Sequence, residues 1–139
     1  MTLLDTNVVS ELMRPAPEPK VLDWLDAQPA ADVWISAVTV GEIRLGLALL
    51  PDGQRKLRLT GLAEAMFHED FADSCLSYDA PAAAEYAEIV ASRTRLGRPI
   101  SVEDAQIAAI ARAGGLTLAT RNTKDFSDIE KLSLINPWT

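Results

Sequence analysis

The chain has 139 residues, 48% of them hydrophobic, and a formal net charge of −7 from 13 basic and 20 acidic side chains. That composition supports one globular domain, residues 1–139, and argues against a disordered chain, a membrane span or a secretory leader: no long window is uninterruptedly apolar, and the N-terminus has Asp5 and no basic segment. The acidity weighs against a simple DNA-binding module, which needs Lys and Arg for phosphate, but it leaves room for a nuclease that meets phosphate through cations, and it suits a basic protein partner.

Leu3-Leu4 reads as a short strand that ends on a carboxylate, Asp5. A helix follows over about Asn7 to Arg14, terminated by Pro15 and Pro17, and another over Lys20 to Gln28. Val33 to Ser36 is a second apolar strand. Thr39 to Leu50 carries Val40, Ile43 and Leu47 at helical spacing and stops at Pro51; a further helix runs from Gln54 to Phe67. A third strand lies near Cys75 to Tyr78. Asp79 then caps a helix with Pro81 in its first turn. Val102 to Ala113 is helical and ends at Gly114-Gly115; Leu116 to Ala119 and Leu132 to Ile135 complete the strands. Alternating strands and helices predict an α/β fold, a parallel sheet of about five short strands with helices on both faces. Such sheets gather ligands beyond the carboxyl ends of their strands.

Asp5 lies at that edge, and so does the turn Thr120 to Asp125 after strand four. Glu42 and Asp104 fall in the first turns of helices whose N-termini point the same way. Three or four carboxylates at one edge repel one another unless a divalent cation holds them, and Mg²⁺ or Mn²⁺ prefers such oxygen ligands. The competing reading is local. Thr39-x-x-Glu42 and Ser101-x-x-Asp104 have capping-box spacing, and Asp5 can cap the helix after it. Taken singly, each acid reads first as a helix-start device and second as a metal ligand.

Four segments in order, LLDTNVVSELMR, ISAVTVGEIRLGL, SVEDAQIAAIA and LATRNTKDF, with the closing Asn136-Pro137-Trp138, resemble a PIN-domain protein. More narrowly, the chain resembles the VapC/FitB-type toxins of type II toxin–antitoxin pairs. The resemblance implies a three-layer PIN-like fold, Mg²⁺ or Mn²⁺ dependence, endoribonuclease activity in the cytoplasm, homodimers, and a small DNA-binding antitoxin through which any DNA contact is made. Carried over by position, the family's acids are Asp5, Glu42 and Asp104. Many relatives have Thr-x-Asp after strand four, where this chain has Thr120-Arg121-Asn122. Asn122 is neutral and a poorer ligand, and Asp125 is a candidate to supply the missing charge. Metal-activated water would hydrolyse the RNA phosphodiester. One alternative is a weakly catalytic or non-catalytic partner of a DNA-binding antitoxin in an autoregulatory repressor complex. Another is a different Mg²⁺-dependent α/β hydrolase such as a phosphatase.

Thr6, Asn7 and Thr120 are supporting candidates, able to steady Asp5 or to touch phosphate or water; capping and turn roles compete. Glu11 reads as solvated or salt-bridged, and Arg44, Arg121 and Lys124 read first as solvated surface charges and second as RNA phosphate contacts. His68 is the only histidine and lies far from these motifs. Cys75, the only cysteine, reads as a small core residue; being alone it forms no intrachain disulfide, which suits a reducing compartment. Trp24, Trp34 and Trp138 are scattered, and packing is the reading for each.

Overall fold

A computed structural model describes residues 1–139. In chain order the elements are β1 (Thr2–Leu4), α1 (Thr6–Leu12), α2 (Pro19–Asp26), β2 (Val33–Ser36), α3 (Ala37–Ala48), α4 (Gln54–Ala65) and β3 (Cys75–Leu76). Then follow α5 (Ala80–Arg95), α6 (Val102–Gly114), β4 (Thr117–Ala119), α7 (Thr123–Phe126) and β5 (Leu134–Ile135). The five strands form one sheet in the order β3-β2-β1-β4-β5, and every pairing is parallel. The predicted α/β architecture is therefore what the chain adopts.

Side chains that alternate along a strand enter opposite layers. Leu4 packs with Val8 and Val9 of α1, Val21 of α2, Ile43 of α3 and Ala63 of α4. Its neighbour Leu3 points the other way, into Ile89 of α5, Ile107 and Ala108 of α6, and Phe126 of α7. Leu3 and Leu4 are both fully buried, so β1 is the centre of a three-layer molecule. Helix α6 is the most enclosed element: Ala105 and the run Ile107 to Ala111 are all buried, and small alanines let the helix lie close. It ends at Gly115 with φ 66°, a left-handed cap conformation that favours glycine.

Several boundaries differ from the sequence reading, each for a local reason. Helix α1 begins at Thr6, because Asp5 is its cap, and ends at Leu12 before the prolines. Ser36, not Thr39, caps α3: its hydroxyl accepts the Thr39 N–H at 3.1 Å. Thr39 is thus already inside the helix, Glu42 belongs to the second turn, and the expected Thr39–Glu42 capping box does not form. Helix α4 passes into a π-helical turn, Met66–Asp70, and α7 was not anticipated because four residues carry too little periodicity to read. Cys75 is exposed, not a core residue, because β3 is an edge strand.

Candidate active site

The chain crosses from β3 back past β2 and β1 to β4, so the strand order reverses between β1 and β4. Crevices at such reversals are where parallel sheets bind ligands. Asp5 and Thr120 are the first residues past these two strand ends. Their backbones extend the ladder: Asp5 N–H donates to Ala119 O at 2.9 Å, and Thr120 N–H to Ile135 O at 2.9 Å. The Thr120 hydroxyl, fully buried, donates to Asp5 Oδ2 at 2.8 Å. Thr6 N–H donates to Asp5 Oδ1 at 2.8 Å, and Asn7 Nδ2 approaches Oδ2 at 3.3 Å. The Asp5 carboxylate is therefore held from three sides, as a residue at a rigid strand end can be.

Glu42 is reached through the same threonine. Thr6 Oγ1 donates to Glu42 Oε1 at 2.7 Å and lies 2.9 Å from Thr39 Oγ1. Thr6 thus contacts one acid with its amide and another with its hydroxyl. Asp104 enters from α6, where Ser101 Oγ accepts its N–H at 3.1 Å, so the expected N-terminal cap is present there. Asp5, Glu42 and Asp104 line one cleft of about 460 Å³ together with Thr6, Asn7, Ser10, Glu11, Arg14 and Asn122. No apolar side chain lines it, and Arg14 is its only cation.

Asp125 does not line the cleft. It sits exposed in α7, near enough for its charge to act on Asp104, and it does not occupy the position left neutral by Asn122. Asn122 does face the cleft, and its N–H donates to Thr120 Oγ1 at 3.0 Å. Glu11 is buried and salt-bridged, accepting from Glu18 N–H at 3.0 Å and from Arg14 at 3.1 Å. Arg44 is paired with Glu64, which also binds His68, away from the cleft. Trp24 and Trp138 pack against the core beneath α1 and α2, and Trp34 against the other.

Burial raises the Asp5 carboxyl from 3.8 to about 6; its bonds from Thr120 and Thr6 resist this, and the charges of Asp104 and Glu42 reinforce it. Burial also raises Asp104, helped by Asp125 and Glu103 and opposed by Ser101 and by Arg93. For Glu11, burial is outweighed by the Glu18 N–H and by Arg14, with Arg121 adding to the lowering, so its carboxyl lies below the usual range. As the side chains stand, no three His, Cys, Asp or Glu groups are close enough to chelate one ion. The donor set nevertheless fits a hard cation: carboxylate, amide and hydroxyl oxygens, with no thiolate or imidazole, and like charges that lack a counter-charge.

An acidic crevice at the strand reversal of a three-layer parallel α/β fold makes a polar, charge-binding site rather than an apolar ligand site. The chain belongs to the PIN-domain family, whose model matches residues 2–132. It is 44% identical to Toxin FitB of Neisseria gonorrhoeae (strain ATCC 700825 / FA 1090), with 99% of each chain covered. It is 40% identical to VapC ribonuclease Y4jK of Sinorhizobium fredii (strain NBRC 101917 / NGR234), covering 99% of this chain and 98% of the other. A solved structure of FitAB bound to an IR36 DNA fragment superposes with a TM-score of 0.91 at 42% identity, covering 100% of this chain and 96% of that one.

Proposed function

We propose that this chain is the ribonuclease toxin of a toxin–antitoxin pair, that it is one PIN domain over residues 1–139, and that it cleaves RNA in the cytoplasm with Mg²⁺ or Mn²⁺. The carrying observation is the convergence of Asp5, Glu42 and Asp104 on one apolar-free cleft, with Asp5 fixed by Thr6 and Thr120 at the β1–β4 seam. Relatives named as a toxin and as a ribonuclease, matched over almost the whole chain, support the same reading.

Asp5, Glu42 and Asp104 would hold the cation, with Asn122 offering an amide oxygen. A divalent cation there would make water a stronger nucleophile and offset charge on the phosphodiester. Thr6 and Thr120 keep the Asp5 oxygens aimed into the cleft, and Thr6 keeps Glu42 beside them. Glu42 is exposed and Asp104 half-buried, so these two are the acids with freedom to turn toward an ion. No Ser–His or Cys–His pair lines the cleft, and attack by metal-activated water requires no covalent enzyme intermediate.

The antitoxin, and a second copy of the chain, are the proposed protein partners. An apolar groove of about 490 Å³ between α1, α3 and α4 opens beside the cleft and shares Thr6, Ser10, Arg14 and Glu42 with it. Leu45 of α3, Leu49 just past its end, and Leu57 and Leu62 of α4 are exposed, leaving apolar surface for a partner to cover. A basic antitoxin would offset the charge of −7 and carry the DNA contact; the similar FitAB structure is bound to a DNA fragment. No helix is long and apolar enough to cross a membrane.

The deciding experiment is digestion of total RNA by the purified chain. Cleavage that stops with a chelator, returns with Mn²⁺, and is absent in folded Asp5→Asn and Asp104→Asn proteins supports the proposal. Cleavage that persists in chelator, or in the folded Asp104→Asn protein, refutes the assigned site.

A further inference from the structure

The acidic cleft raises a difficulty for a polyanionic substrate. Its one lining cation, Arg14, is already paired with the buried Glu11. Arg55 and Arg58 line the apolar groove, on the Glu42 side. On the opposite side stands Arg121, one residue past Thr120 in the turn after β4. Its backbone N–H donates to Asn7 Oδ1 at 3.3 Å, which anchors it to a cleft-lining side chain. Its charge is felt by Glu11 in the same cleft, yet it forms no ion pair with any carboxylate.

The partner of the Arg121 guanidinium is an aromatic ring instead. Its Cζ lies 5.1 Å from the centroid of Trp138. Trp138 is half-buried, its ring held by packing against the core beneath α1 and α2, and its backbone N–H donates to Asn136 Oδ1 at 2.9 Å. A cation resting on a ring is oriented without being neutralised, and the N–H groups along its edge stay available for a fork-like pair of bonds to phosphate.

We propose that Arg121, braced on Trp138, contacts an RNA phosphate next to the scissile one, on the Asn7 side of the cleft. This rests on the ribonuclease reading above. It gives the substrate a point of attachment that the acids do not provide, and it makes Arg121 a binding residue with no part in bond breaking.

The test measures binding and cleavage separately. Binding of a mixed-sequence pool of short, fluorescein-labelled single-stranded RNAs is followed by anisotropy across a salt series. The protein carries Asp5→Asn so that the pool stays intact. Adding Arg121→Ala is expected to weaken binding about tenfold and to flatten the slope of log affinity against log salt by about 0.7, the loss of one contact to a single strand. Arg121→Lys should recover the slope but not the whole affinity, because the charge returns without the planar fork. Trp138→Leu should weaken binding while leaving the slope, and thermal melts of all three verify folding. Equal affinity and equal slope for folded Arg121→Ala overturn the proposal. Cleavage of total RNA by the wild-type chain tests the underlying reading. If the chain binds with the expected Arg121 dependence but cuts nothing, the ribonuclease reading fails and the contact stands. If it neither binds nor cuts, both fail.

Discussion

Replacing Asp5 with Asn should make the metal-free protein more stable at pH 8, although it removes the residue on which the site is built. In the folded state burial holds the Asp5 carboxyl near 6, against 3.8 without the fold. A carboxyl raised by folding opposes the native state while ionised: the cost is full above about pH 6, shrinks as pH falls, and vanishes below 3.8. At about 1.4 kcal/mol per pH unit, the interval corresponds to roughly 3 kcal/mol at pH 8. Asn keeps an oxygen for the Thr6 N–H, but its amide must face Thr120, whose hydroxyl then has to accept. Losing that charge-assisted bond costs about 1 to 2 kcal/mol, leaving a net gain of about 1 to 2 kcal/mol. Urea unfolding in chelator, run on both proteins from pH 4 to 8, isolates the effect, because other titrating groups largely cancel in the difference. The advantage of Asp5→Asn should be largest at pH 8 and should fade or reverse by pH 4. Adding Mn²⁺ at a hundred times its dissociation constant should then stabilise the wild type by about 2.7 kcal/mol and the variant far less. If the variant is less stable than wild type by a constant amount at every pH, Asp5 is an ordinary helix cap and the crowded-carboxylate account is wrong.

Mn²⁺ affinity measured by calorimetry should fall as pH drops from 7 to 5, because protons compete for an Asp5 carboxyl near 6; an affinity flat over that range would mean Asp5 is no ligand. Asn122→Asp should tighten binding of a second ion, since an anionic oxygen now faces the cleft, whereas Asp125→Ala should change affinity only slightly, through its charge on Asp104, with the number of ions bound unchanged because Asp125 lies outside the cleft. Thr6→Val should lower kcat for RNA at least tenfold with a near-normal melting temperature, as it removes the hydroxyl that holds Glu42; unaltered turnover would show that Glu42 needs no such support. Arg93→Met should cost about 3 kcal/mol in urea unfolding, because buried Arg93 donates to Asp125 O at 2.7 Å and Arg98 O at 2.8 Å and pairs with Asp128 at 3.1 Å.

Much of this arrangement was readable from the sequence, and the limits have physical causes. Short apolar runs after turn signals placed the strands, and a strand ending in Asp5 placed that acid at the sheet edge. Ser101 and Asp79 cap α6 and α5 as their positions suggested, because capping is a local interaction. The start of α3 was misread because Ser36 and Thr39 are both good caps, and only the strand's endpoint decides between them. The bond from Thr6 to Glu42 joins residues 36 positions apart in sequence, and that from Thr120 to Asp5 joins residues 115 apart. No local pattern encodes such pairs; they follow from the strand order, in which β1 lies between β2 and β4. The Arg121–Trp138 contact was missed for the same reason, since the tryptophan lies beyond β5 and carries no periodic signal.

The pairing of the first strand with the fourth also governs when the chain can become active during synthesis. Leu4 leaves the ribosome long before its partner Ala119, with about 115 residues between them. At about 5 to 20 residues per second, that interval is roughly 6 to 23 seconds. Until then Asp5 has neither the Ala119 carbonyl nor the Thr120 hydroxyl to hold it, and Asp104 has no seam to face. A nascent or truncated chain lacking β4 therefore carries all three acids but not the site, so translation must pass the last rungs of the ladder before any cutting begins.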